Sequence, residues 1–230
     1  RGMVDDSKAL LDNSSADLWV VQRGTLGPYA EASSLQDDLY RGILGMPGVA
    51  RAANITYLTM QVLRDQGDVR AMVVGVAPGG PGEPGHPKQL IAGRHIIRSH
   101  YEAVADSASG LRLNEQIQIR RQHFQVVGLT QRMVSSNGDP MIFIPLRDAQ
   151  EAQFLKDNDA IWQQRRRTAS NPAVARNQVP GLLEALLAAQ ESNPYVNAVL
   201  VQLENGANAH ETAEAIRRWK DRKSTRLNSS

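Results

Sequence analysis

Gly138-Asp-Pro-Met-Ile-Phe-Ile-Pro-Leu146 decides how this chain folds, because a turn, a strand and a helix start follow one another there without a gap. Asp139 ahead of Pro140 is a turn former. Met141 to Ile144 is a short apolar run of strand type, and Ala149, Ala152, Gln153 and Leu155 follow Pro145 in the pattern of a helix. Upstream, Ile117 and Ile119 alternate with Gln116, Gln118 and Arg120, which is the pattern of a half-exposed strand. Arg121-Gln122 then turns the chain into Phe124 to Leu129, its hairpin partner.

Outside this middle the two ends carry helices. Leu18 to Val21 reads as a buried strand, followed by a turn at Gly24 to Pro28. Ser34, with Asp37 three residues on, starts a helix in which Leu35, Leu39, Ile43 and Leu44 share a face; Gly45 and Pro47 stop it. Ala52 to Leu63 and Val69 to Val76 are strands joined around Gln66-Gly67-Asp68. The stretch Pro78 to Pro87 holds four prolines and four glycines, so it can be neither helix nor central strand and is expected to be a surface loop or hinge. From Asp157 to Pro194 the chain turns polar and helical, with Arg165-Arg-Arg167 and a helix from Pro180 carrying Leu182, Leu183, Leu186 and Leu187, as a lateral insert would. Val196 to Leu203 returns to strand. Ala213, Ile216 and Trp219 stand at helical spacing in the closing element, Glu211 to Trp219.

Bulk properties exclude several classes. The chain has 230 residues, 41% of them hydrophobic, and no stretch reaches the roughly 18 to 20 apolar residues a bilayer requires. No apolar region follows Arg1 as a signal peptide would demand. The tail Asp221 to Ser230 back-translates to sequencing-adapter DNA and is expected to be non-native. Without Arg222, Lys223, Arg226 and Asp221, the 26 basic and 24 acidic residues become 23 and 23, a neutral chain with no argument for nucleic acid or anionic lipid. The absence of cysteine removes disulfides, thiolate zinc sites and cysteine nucleophiles together.

The search for chemistry is equally negative. There is no G-x-x-x-x-G-K-[ST] loop, so the chain does not hydrolyse ATP itself. No G-x-S-x-G elbow surrounds any serine. His95, His100 and Glu102 are the one histidine cluster, at a spacing that suits neither a helix face nor a strand face, and read as polar surface. Asp106 and Asp139 can be imagined as an acid pair, but Asp139 is better explained as a turn residue. Arg165 to Arg167 reads as a solvated helix face.

Taken in order, Asp17 to Arg23, Met46 to Val49, Val73-Val74-Gly75, Gly93-Arg94, Phe124 to Thr130 and Gly138 to Gln150 resemble one family. It is the extracytoplasmic domain of bacterial ABC exporter permeases of the MacB/FtsX-like kind, nearest the DevC-type branch, over about Val4 to Lys220. One departure is Asn114, where the family carries glycine; asparagine also tolerates a left-handed backbone. The resemblance implies an α+β fold: a porter-like α/β half formed by both ends (1–68 and 195–220), a β-rich middle half (69–157) and a helical insert (158–194), with 221–230 non-native. It implies no catalytic, cofactor or metal residues. It further implies a bacterial inner-membrane protein with this segment on the periplasmic side. Expected partners are a separate ABC ATPase subunit, a membrane-fusion-type periplasmic adaptor and a second permease copy. The domain would couple ATPase-driven motion to export, through the loops bearing Met133, Ser135, Ser136, Asn137 and Asp139, and Gly82, Glu83 and His86. The competing readings are a free-standing periplasmic protein that captures a small ligand between two halves, and a hydrolase with an unrecognised pocket.

Overall fold

Met141–Pro145 is buried along its whole length, the mark of a strand with neighbours on both edges and layers on both faces. In the computed structural model, which describes residues 15–22, 35–80, 82–135, 137–154 and 195–227, it is the middle of a nine-stranded mixed sheet. The elements in chain order are β1 (Leu18–Val20), β2 (Leu35–Gln36), α1 (Leu39–Leu44), β3 (Val49–Val62), β4 (Val69–Val76), β5 (Ala92–Gly93), β6 (Glu102–Asp106), β7 (Gln116–Ile119), β8 (Gln122–Thr130), β9 (Met141–Pro145), α2 (Leu146–Phe154), β10 (Tyr195–Val196), β11 (Ala198–Leu203) and α3 (Ala209–Leu227). The sheet runs β1-β11-β3-β4-β9-β6-β8-β5, with β7 paired to β8; β2 and β10 form a separate two-stranded ribbon. β4 and β9 are parallel, as are β6 and β8; the remaining pairs are antiparallel.

Side chains alternate across this sheet and build different layers on its two faces. Ile55, Tyr57, Met72, Val74, Val76, Val104, Met141, Phe143, Ala198 and Leu200 point to one face, where they are covered by loop residues that include Met133, Leu90 and Ile96. The opposite face carries helices. Val199 and Val201 pack with Leu39 and Ile43 of α1 and Ile216 of α3, while Ala71, Val73, Ile142 and Ile144 pack with Ala149 and Ala152 of α2. The helices approach closely because glycines let them. A Cβ at Gly75 would stand 2.3 Å from Ala149 Cβ and 2.5 Å from Thr56 Oγ1, and one at Gly42 would stand 2.3 Å from the Trp219 ring. The fold is thus α+β and sheet-rich, with the described helices on one face of the sheet.

β3 joins the two ends of this sheet. Over Val49 to Ile55 it pairs with β11, and over Ile55 to Val62 with β4. The boundary expected at 68/69 falls in the β3–β4 turn, where Gly67 has φ +106. The expected insert at 158–194, with Arg165 to Arg167 and the Leu182–Leu187 stripe, lies outside the described residues. α3 continues through Lys220 into the tail expected to be non-native, as far as Leu227.

Four local expectations are revised. The first helix starts at Leu39 rather than at Ser34, because Leu35 pairs with Val196 in the β2–β10 ribbon; Leu39 and Ile43, four residues apart, are buried, whereas Leu44, turned about 100° further round the helix, is 45% exposed. The strand expected from Val196 to Leu203 is divided at Asn197, whose Oδ1 accepts the Tyr57 N–H at 2.9 Å. β6 is an unforeseen strand, hidden by Glu102 and Asp106, two acids that are nevertheless buried. The Pro78–Pro87 stretch is a loop, but it is only partly on the surface: Pro84 to Pro87 are buried against the sheet. Asn114 adopts φ +64, the left-handed backbone expected of it.

The contact between β4 and α2 gives a direct test. Gly75→Ala should destabilise the protein by about 1–3 kcal/mol through overpacking, and Ala149→Gly in the same chain should recover part of that loss. Urea unfolding midpoints of the four members of this cycle measure the coupling; additive effects would show that Gly75 is not held against Ala149.

Candidate functional site

The two loops expected to meet a partner lie at opposite ends of β4. The Met133–Asp139 loop is fastened at the start of β4. Met133 N–H donates to Asp106 Oδ2 at 2.8 Å, Ser135 N–H to Asp139 O at 2.8 Å, and Asp139 N–H to Ser135 Oγ at 3.2 Å; Arg70 Nε lies 3.2 Å from Asp139 Oδ1. Met133, Ser135 and Asp139 are therefore buried, Ser136 lies outside the described residues, and Asn137 with Gly138 forms the exposed tip. Asp106 and Asp139 are not an acid pair: each carboxylate is occupied in holding this loop.

The Gly79–His86 loop belongs to the other end, where β4 finishes at Val76. Gly85, at φ +94, sits over Leu200, Ile55 and Val76, so close that a Cβ would touch all three. His86 is 3% exposed, and its Nε2–H donates to Ala77 O at 2.6 Å. Burial lowers its pKa, which favours the neutral ring. Gly82 and Glu83 are half-buried, with Glu83 paired to Arg51 at 2.9 Å. From Arg70 to Val76 the strand advances roughly 20 Å, which keeps the two loops apart.

Beside His86 opens a cleft of about 770 Å³ at the carboxyl ends of the parallel strands β4 and β9. Its walls are the start of α1 (Asp37, Asp38, Arg41), the chain leaving β4 (Ala77 to Gly79), the segment Ile96–His100 and the start of α2 (Leu146, Arg147, Gln150); Asn54 of β3 also lines it. Chain that leaves two parallel neighbours in different directions leaves such a crevice by topology.

Two buried carboxylates hold the outer wall. Glu102 receives Arg94 Nη2 at 2.5 Å and Nη1 at 3.1 Å, together with the backbone N–H groups of Ile97 and Arg98 at 3.0 and 3.1 Å. The Arg94 guanidinium and these N–H groups pull its carboxyl down from 4.5 to about 2. Asp148 receives His100 Nδ1–H at 2.6 Å and the N–H of Tyr101, a residue at φ +64, at 2.9 Å.

The histidine cluster read from the sequence is dispersed by these contacts. Glu102 faces Arg94, His100 faces Asp148, and the His95 ring stands 6.5 Å from that of His86. No group of three metal-ligating side chains occurs among the described residues. His100–Asp148 has the form of a base with its orienting acid, but no described hydroxyl is hydrogen-bonded to its other nitrogen. Sequence reasoning read Glu102 as polar surface, whereas it is buried, and did not single out Asp148, although Gly93-Arg94 had already drawn attention to the arginine.

The mixed sheet, with helices packed on one face and loops on the other among the described residues, is the frame of a sheet-rich α+β domain. The family comparison is decisive: the MacB-like periplasmic core domain model matches residues 1–219, and the chain belongs to that family, the periplasmic domain of MacB-like ABC transporter permeases. Two solved structures share the fold. The periplasmic region of MacB from Actinobacillus actinomycetemcomitans aligns over 100% of this chain and 99% of its own, at 9% identity and a TM-score of 0.54. The extracellular domain of the noncanonic ABC-type transporter YknZ from Gram-positive bacteria aligns over 84% of this chain and 86% of its own, at 12% identity and a TM-score of 0.51. No curated protein matches the sequence.

Glu102 predicts an acid-dependent stability. Its folded pKa is depressed, so its contribution is complete above 4.5 and lost as pH falls from there towards 2. Glu102→Gln should cost about 1.5–3 kcal/mol at neutral pH and flatten the decline over that window. Chemical unfolding of both proteins at pH 7, 4.5 and 3 measures it; parallel declines would remove Glu102 as the titrating group.

Proposed function

We propose that the chain is the periplasmic part of an inner-membrane exporter permease. A separate ATPase drives the permease, and this domain passes the motion on to a membrane-fusion-type adaptor. The observation that carries this reading is the family match across residues 1–219. The first and last described elements also lie side by side: Lys220 Nζ of α3 donates to Val21 O, just beyond β1, at 2.5 Å. That neighbourhood suits a domain whose two ends return to one membrane. In this reading the porter-like half (1–68 and 195–220) carries the membrane connections and the β-rich half (69–157) reaches the partner. The exposed tip at Asn137 is the docking element, and the backbone bonds from Ser135 and Asp139 hold it in place.

Motion can be relayed only through parts that do not deform. The continuous sheet meets that need, because β3 ties the half containing α1 and α3 to the half containing α2 by an unbroken strand.

Genomic DNA across both ends of the fragment tests the reading first. An apolar helix encoded before Arg1, about three more of roughly 20 residues after Lys220 and a neighbouring ATPase gene are expected. An in-frame stop soon after Lys220 would instead favour a free-standing binding protein. The docking element has its own test, helped by the absence of cysteine from these 230 residues. A photoreactive label on Asn137→Cys in the full permease should capture the adaptor, and one on Asn205→Cys, in the β11–α3 turn, should not. Equal capture at both positions would remove the loop from this role.

A further inference from the structure

The dipeptide Asn-Gly occurs twice in the chain, at 137–138 and at 205–206. It is the pairing most prone to lose its side-chain amide, because glycine has no Cβ to keep its backbone nitrogen away from the asparagine Cγ. The reaction needs that nitrogen free. Its N–H must give up its proton, and the peptide between the two residues must rotate until the nitrogen meets Cγ. Both pairs are exposed, so exposure does not separate them. Their hydrogen bonds do.

Gly138 N–H donates to Ser135 O at 2.9 Å, inside a loop closed further by Ser135 N–H on Asp139 O at 2.8 Å and Asp139 N–H on Ser135 Oγ at 3.2 Å. Rotating the Asn137–Gly138 peptide breaks the first of these bonds. Asn205 and Gly206 are the two central residues of the turn between β11 and α3, which Ala207 N–H closes on Glu204 O at 3.0 Å. That bond brackets the central peptide without using it, and neither Asn205 O nor Gly206 N–H has a hydrogen-bond partner among the described residues. The peptide can therefore swing between turn geometries at no cost in hydrogen bonds. Gly206 has φ +83, and a Cβ placed on it would meet nothing within 4 Å.

We propose that Asn205 is a site of spontaneous covalent modification, and that the fold rather than the dipeptide selects it over Asn137. The deprotonated Gly206 nitrogen attacks Asn205 Cγ. The new C–N bond closes a succinimide ring as the bond to the side-chain nitrogen breaks and ammonia leaves. Water then adds to either ring carbonyl and opens the ring, giving aspartate or isoaspartate; the net reaction takes up one water and needs neither oxidant nor enzyme. Either product sets a carboxylate next to Glu204, and the isoaspartate route adds a methylene to the main chain. That insertion falls in a tightly held link. Glu204 N–H is bonded to Gly48 O at 2.9 Å, and the turn leads into α3, whose Ile216 packs with Val199 and Val201. The inference does not rest on the permease reading, because the chain contains every group it uses.

Incubation of the 230-residue chain in mildly alkaline buffer, folded and in urea, tests it, with peptide mass mapping and isoaspartate-specific methylation following both sites. The hydrogen bond that must break at Gly138 should leave Asn137 about fivefold or more slower than Asn205 in the folded chain. In urea that bond is gone, and the two rates should converge. Asn205→Gln should remove most of the isoaspartate that the folded chain accumulates, since the longer side chain closes its ring far more slowly. Equal rates at the two sites in the folded chain, or Asn137 leading, would overturn the assignment. So would a folded-state ratio that persists unchanged in urea, or an Asn205 that converts in urea but stays intact in the folded chain.

Discussion

The parallel pairing of β4 with β9 governs the rest of the architecture. Met141 to Ile144 lose all contact with solvent, so this strand must have neighbours on both edges and cover on both faces. A parallel partner cannot be reached by a tight turn. The chain between β4 and β9 therefore makes a long excursion through β5, β6, β7 and β8. That excursion supplies one flank of the sheet and much of the loop layer over Phe143 and Val74. Truncating Phe143, with no exposed surface, would remove the packing between that layer and the strands, an effect of about 3–5 kcal/mol.

The same pairing places the features that bear on function. At the start of β4 the returning chain becomes the Met133–Asp139 loop, held to Arg70 and Asp106, with Asn137 and Gly138 the exposed ones among its described residues. At its end the two strands part, β4 into the proline-rich loop and β9 directly into α2, and the cleft is the space between. Buried carboxylates keep both regions rigid: Asp106 fixes the loop, and Glu102 with Asp148 fixes the wall formed by Ile96–His100. The proposed relay of motion draws on this division. Stiff backbone carries force, while a few exposed residues at defined points make contacts.

Much of this was legible in the residues. The hairpin of β7 and β8, the strands β3 and β4 with the turn at Gly67, the helix after Pro145 and the Ile216–Trp219 face all follow local periodicity, and the structure has them where the pattern puts them. The family was legible for a different reason, since ordered phrases such as Val73-Val74-Gly75 reflect packing needs that local pattern does not express. Gly75 is there to admit Ala149. The misses share one cause. Glu102 and Asp106 disguised β6 because acids signal a surface, and only Arg94 and the loop N–H groups, distant in the fold's construction if not in sequence, make their burial tolerable. Leu35 joined a ribbon with Val196 rather than a helix with Leu39 because its partner lies 161 positions further along the chain.

By itself the sequence determined the secondary structure over most of the described chain, the absence of cysteine and of a phosphate-loop motif, and the membership of a family, because these depend on residue type and local spacing. Tertiary structure alone decided the order of strands, the burial of Met133 and His86, the separation of the two loops along β4, and the cleft where β4 and β9 end. The physical reason is that burial and field are properties of neighbours. Asp106 and Met133, 27 positions apart, acquire a joint meaning only when the fold sets them side by side.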